Sequence, residues 1–154
     1  SPLILLGKIQ RLELLGKIFS EVVVPFEVAR EVKSGPRDDP AALWFMSPGS
    51  GVSFIGEPSV LPEIEKWDLG KGESAVISFC VAGDSSYRAI LDDRAGRRCA
   101  QVFGIRYMGT LGILIRAKNL GLIEDLERDI FELQSVGANL SPALIQEALR
   151  LGNS

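Results

Sequence analysis

The chain has 154 residues, 46% of them apolar and 24% charged, proportions that predict a single water-soluble domain over 1–154, long enough to bury roughly 70% of its unfolded surface. A net charge of −3 excludes a protein that coats nucleic acid by bulk electrostatics, leaving room only for a local basic patch. There is no histidine, and the two cysteines form no CxxC pair, which excludes histidine-based catalysis and the usual structural zinc sites. Any chemistry falls to carboxylates, hydroxyls, lysine, arginine or a metal held by oxygen ligands.

Taken in order, PLILLGKIQRLELLGKIF (2–19) has apolar residues at a helical period broken by Gly7 and Gly16, so it predicts two short helices. The run 21–24 is β-branched and stops at Pro25, a buried strand; Pro25 also opens the helix PFEVAREVKSG. A short helix over 41–45 precedes the breaker SPGSG, and a strand is expected over 52–55. The proline-spaced segment EPSVLPEIEKWDLGKG predicts loop with one helical turn, and ESAVISFCV (73–81) a strongly apolar helix. Residues 87–91 read as a strand, 94–103 as a helix, 105–108 as a strand and 111–119 as a helix. Two amphipathic helices broken at GANLSP close the chain.

Strands alternating with helices predict an α/β fold with a central, mainly parallel sheet flanked by helices. That sheet should include 22–24, 87–91 and 105–108. Cys80 and Cys99, each among apolar neighbours, should be buried thiols. No apolar run reaches the roughly 20 residues of a membrane span and no cleavable leader is evident, which predicts a cytoplasmic protein.

The acids of ILDDRAGRR are the sharpest chemical feature. Asp92 and Asp93 stand at a strand's carboxyl end, where ligands of parallel α/β sheets bind. An N-cap explains one of them and an ion ligand explains the pair; the fragment alone favours neither. Glu73 opens an apolar helix, where the helix dipole alone would suit it. Glu31 lies three residues after Val28 on the inward stripe, yet surface charge is the simpler reading of its neighbourhood. Arg94, Arg97 and Arg98 make the best local basic patch, and no GxxxxGK[ST] or GxGxxG phosphate loop occurs.

The ordered segments SPLILLGKIQRLELL, VPFEVAREV, GKGESAVISF, ILDDRAGRR, GIRYMGTLGILIRAK and NLSPALIQEAL resemble PIN-domain proteins of a prokaryotic branch related to VapC-type toxins. The resemblance implies a three-layer α/β fold whose acids hold Mg²⁺ or Mn²⁺ and cut the RNA backbone. It assigns catalytic and metal-holding roles to Glu31, Glu73 and Asp93, with Asp92 as a further metal neighbour. This raises Glu31 from surface charge to site residue. The family pattern opens with an aspartate at the end of a first strand, two residues ahead of the serine that is Ser1 here. The resemblance thus implies one acid more than the sequence carries and puts Ser1 close to the site; Arg94 and Arg97 join it as substrate contacts on the strength of the basic patch alone, for which solvated helix charge is an equal account.

The function expected is a metal-dependent endoribonuclease, with a toxin role beside an antitoxin protein as one version of it. The alternative is a catalytically degenerate PIN-like module that binds RNA or protein. A receiver-like signalling domain ranks last, because its acid pair would follow the first strand and it would need a lysine where MGTLG stands. The apolar run LGILIRAKNLGLI suits a homodimer interface or the core equally.

Overall fold

The computed structural model describes residues 1–47, 49, 51–56, 60–84 and 86–152. The chain opens with α1 (Pro2–Lys8) and α2 (Glu13–Ile18), followed by β1 (Val22–Pro25), α3 (Phe26–Lys33), α4 (Pro40–Trp44) and β2 (Val52–Ile55). Next come α5 (Pro62–Glu65), α6 (Lys71–Ala82), β3 (Ala89–Ile90), α7 (Arg94–Val102) and β4 (Tyr107–Met108). Three helices finish it: α8 (Thr110–Asn119), α9 (Leu126–Ser135) and α10 (Pro142–Gly152). Of the breaker SPGSG and the segment EPSVLPEIEKWDLGKG, Pro48, Ser50, Glu57, Pro58 and Ser59 lie outside the described residues.

Local chemistry explains most boundaries. Proline sits at the first turn of α1, α4 and α5, where its missing N–H costs no helical hydrogen bond. Asp39 caps α4 by accepting from Ala41 N (3.0 Å), and Asp125 caps α9 by accepting from Arg128 N (3.1 Å). After α7 the chain turns into β4 through Gly104, whose φ of +69° a side chain would resist.

The α/β fold with parallel strands is as the sequence predicts, but the strands pair differently. β1 runs parallel to β2, with Val22 opposite Val52, and β3 runs parallel to β4, with Ala89 opposite Tyr107. These are two separate two-stranded ladders, not one sheet, among the described residues. Within each ladder the backbone groups alternate in direction. Val22 N donates to Gly51 O (2.8 Å), so the backbone of Val23 points away from β2. Ala89 N donates to Arg106 O and Leu91 N to Met108 O (both 2.9 Å), so Ile90 likewise points away from β4. Both outward edges border a cavity of about 710 Å³ that separates the ladders.

Side chains of β3 and β4 alternate between two cores. Ala89, Leu91 and Tyr107 join Ile64, Ile77 and Cys99 beneath α5, α6 and α7. Ile90 and Met108 instead face Leu6, Leu14, Ile113, Ile130 and their neighbours from α1, α2, α8 and α9. That two-residue period is what places helices on both sides of the strands. The apolar run of α8 belongs to the second core: Leu111, Ile113, Leu114 and Ala117 are buried within the chain. Cys80 and Cys99 are free and buried as expected, and burial pushes the Cys80 thiol up to about 11. No described helix is long and apolar enough to cross a membrane.

One polar link crosses the second core. Asp129 is an acid only 2% exposed. Arg11, between α1 and α2, grips it in a fork: Nε donates to Oδ2 (3.0 Å) and Nη2 to Oδ1 (3.2 Å). Arg11→Met should strand a buried carboxylate and lower stability by about 2–3 kcal/mol, below the figure for a fully buried pair because Arg11 is a third exposed. Thermal unfolding should register a fall of roughly 5–10 °C, largely recovered in Arg11→Met/Asp129→Leu. An unchanged midpoint in the single variant would show the pair to be idle.

Candidate active site

Each acid singled out in the sequence lines the cavity between the ladders: Glu31 from α3, Glu73 from the first turn of α6, and Asp92 and Asp93 from the end of β3. Ser1 lines it too. The short link from β1 through Pro25 into α3, and the strand-to-helix turn after β3, deliver these side chains to one region from points distant in sequence.

The carboxylates are held by helix N-termini, where unpaired N–H groups and the helix dipole favour negative charge. α6 has no side-chain cap of its own, and Glu31 serves it from outside: Gly72 N donates to Glu31 Oε1 (2.8 Å). A Cβ on residue 72 would lie 2.7 Å from Glu31 Oε2, so glycine permits the approach. Asp93 is the N-cap of α7, with Oδ2 accepting from Ala95 N (3.2 Å) and Gly96 N (3.4 Å). Glu73 presses on the same turn; a Cβ at Gly96 would lie 2.9 Å from its Oε2. Asp92 reaches across to α8, accepting from Thr110 N through Oδ1 (2.7 Å) and from Thr110 Oγ1 through Oδ2 (2.6 Å).

Electrostatically the cluster is unbalanced. Burial raises the Glu73 carboxyl above its ordinary range, and the charges of Asp93 and Glu31 raise it further.

A family model described as DUF3368, PIN domain, matches residues 1–154. The chain belongs to the PIN-domain family. Neither the curated proteins nor the solved structures contain a match to it. The match covers every segment that carried the resemblance, and the fold is of the nuclease type.

Within this PIN domain, the residues expected to act fall into two groups. Glu31, Glu73 and Asp93 share a cavity edge and are joined through Gly72 and Gly96. Among the described residues, however, no three acids form a group able to hold an ion as they stand. Glu31 turns to the Gly72 amide, and Asp93 gives Oδ2 to its own helix. Asp92 has both oxygens engaged by Thr110. Arg97 is also tied inward: Nε donates to Leu91 O (2.9 Å), and its guanidinium stacks 5.8 Å from the Tyr107 ring centroid. Arg94 is exposed at the start of α7 and outside the cavity lining.

The donor set fits Mg²⁺ or Mn²⁺ in chemistry. Oxygen donors suit hard cations, and Mg²⁺ takes only one or two carboxylates while keeping several waters. Glu73 and Asp93 both approach Gly96 and would be the carboxylates to hold such an ion. Sequence reasoning missed Gly72, Gly96, Gly109 and Thr110. The glycines were visible in GKGE, DRAG and MGT, but their partners are far along the chain.

Proposed function

We propose that this PIN domain is a Mg²⁺- or Mn²⁺-dependent endoribonuclease. The observation that carries the reading is the gathering of Glu31, Glu73 and Asp93 at one cavity edge, in a chain with no histidine to compete for the chemistry. When bound, the ion supplies Lewis acidity to water and to the phosphodiester. The chain's own residues do the rest. Asp93 and Glu31, each fixed by a backbone N–H, keep one oxygen's direction constant and so preset the site's charge. Glu73 approaches Gly96 from the same side as the Asp93 cap, where the two would hold the ion. Ser1, at the cavity edge, is placed to contact substrate, while Arg94 offers charge to RNA from outside the lining.

The test is ion dependence. Purified protein incubated with single-stranded RNA should cleave with Mn²⁺ or Mg²⁺, lose cleavage in EDTA, and regain it on adding back the ion. Cleavage untouched by EDTA would rule the mechanism out. A second reading draws on the lack of a ready-made three-acid group among the described residues: a PIN-fold module that binds RNA or protein without cutting. Stable RNA binding with no cleavage under any divalent ion would favour it. The toxin role, with an antitoxin as partner and a homodimer as the working form, is a narrower version of the first reading. It requires growth arrest on expression of the active protein.

A further inference from the structure

Asp92 and Asp93 are adjacent in sequence but differently engaged. Asp93 keeps Oδ1 clear of the hydrogen bonds that Oδ2 makes to its own helix. Asp92 gives Oδ1 to the Thr110 amide and Oδ2 to the Thr110 hydroxyl, spanning 18 residues from the end of β3 to the start of α8. α8 lacks a side-chain cap of its own, because its N-cap residue is Gly109. Glycine lets both side chains approach, since a Cβ there would meet the Arg97 guanidinium and lie 2.8 Å from Asp92 Oδ1. Arg97 closes the arrangement, with Nε on Leu91 O (2.9 Å) and Nη2 3.8 Å from Asp92 Oδ1. Thr110 is 2% exposed, so this clasp is shielded from water on the side of α8.

We infer that Asp92 is a positioning residue rather than an ion ligand: clasped by Thr110 and braced by Arg97, it fixes the strand end from which Asp93 projects. The acid pair then divides two tasks. Asp93 faces the site, and Asp92 locks the backbone beneath it to the N-terminus of α8. The inference rests on the nuclease reading for what Asp93 does, but the clasp itself needs no ion.

Asparagine separates the two roles of Asp92. Its oxygen accepts from the Thr110 amide as the carboxylate does, and the Thr110 hydroxyl can rotate to accept from its NH₂. Asp92→Asn therefore keeps the clasp and removes the charge. Mn²⁺ affinity, followed by titration of the full chain, should stay within about threefold of the parent in Asp92→Asn, while Asp93→Asn weakens it by about tenfold or more. Asp92→Ala and Thr110→Val should each weaken it by about 10- to 100-fold, the usual cost of losing a residue that orients a ligand. Thr110→Ser should restore it. On the ion-free protein, exchange of the Thr110 amide hydrogen should be slow in the parent and in Asp92→Asn, and at least about tenfold faster in Asp92→Ala. A loss in Asp92→Asn equal to that in Asp93→Asn would overturn the inference and make Asp92 a ligand. Unchanged Mn²⁺ affinity in Thr110→Val would overturn it as well. A parent protein that takes up no Mn²⁺ would instead overturn the nuclease reading, and amide exchange would then decide the clasp alone.

Discussion

Asp93→Asn should lower ion-dependent RNA cleavage by about 10²- to 10³-fold while leaving the fold close to its original stability. Asparagine and aspartate are equally good N-caps, so the bonds from Ala95 N and Gly96 N survive and α7 keeps its start. What disappears is one unit of charge from the cation's surroundings. Asp93→Ala should lose the same activity and a further 1 kcal/mol or about that, because it also removes the cap. Comparing cleavage rates with thermal unfolding for the two variants separates charge from capping. An Asp93→Asn protein that cleaves at the parental rate would remove Asp93 from the site.

The charge removed also acts on Glu73. Burial is the larger cause of that carboxyl's raised pKa, and Asp93 is the next. A carboxyl raised in the folded state destabilises the fold once ionised; the effect is full above its folded pKa and vanishes below the unfolded value. Relieving part of it offsets any loss elsewhere in Asp93→Asn at neutral pH, and that relief fades as pH falls through the carboxylate range. The retained stability of the variant therefore has two sources, the conserved cap geometry and the reduced repulsion.

How much of this could be read from the sequence depends on the distance over which each feature is determined. The β-branched run at 22–24 and the breaks at Pro25, Pro40 and Pro62 are local, and the elements formed where expected. Strand lengths were less legible. The expected 87–91 and 105–108 shrank to Ala89–Ile90 and Tyr107–Met108, because ladder pairing depends on a partner's register and not on a residue's own preference. The helix expected from Glu73 starts two residues earlier at Lys71, since Glu31, 41 residues away, satisfies the Gly72 amide and lets the first turn form.

Asp129 carries a signal of its burial in the sequence. Leu126, Asp129, Ile130 and Leu133 fall at i, i+3, i+4 and i+7, so the acid sits within the buried stripe of α9. An acid there demands a partner, but nothing local names Arg11. The site follows the same pattern. Its acids were visible as residue types and gained their roles from the family resemblance; the cap on Asp93 is local, whereas the helix N-termini that hold Asp92 and Glu31 are contacts between segments 18 and 41 residues apart.

Those contacts make Gly72→Ala the variant in which stability and activity should part most clearly. Gly72 is the second residue of α6, where alanine is favoured over glycine by about 0.5–1 kcal/mol. Against this, the new methyl would stand 2.7 Å from Glu31 Oε2 and 3.0 Å from its Cδ, inside any tolerable contact. Glu31 is exposed and its side chain is long, so the carboxylate should swing away and leave the helix in place. The bond to the Gly72 amide is then lost, at about 1 kcal/mol, and the two changes nearly cancel. Activity has no such compensation. A displacement of about 1 Å or more at a carboxylate that presets the site's charge should cost on the order of 10²-fold in cleavage. The unfolding midpoint should stay within about 2–3 °C of the parent, and the cleavage rate should match that of Glu31→Gln. A Gly72→Ala protein that cleaves at the parental rate would mean that the seat of Glu31 on α6 has no part in the chemistry.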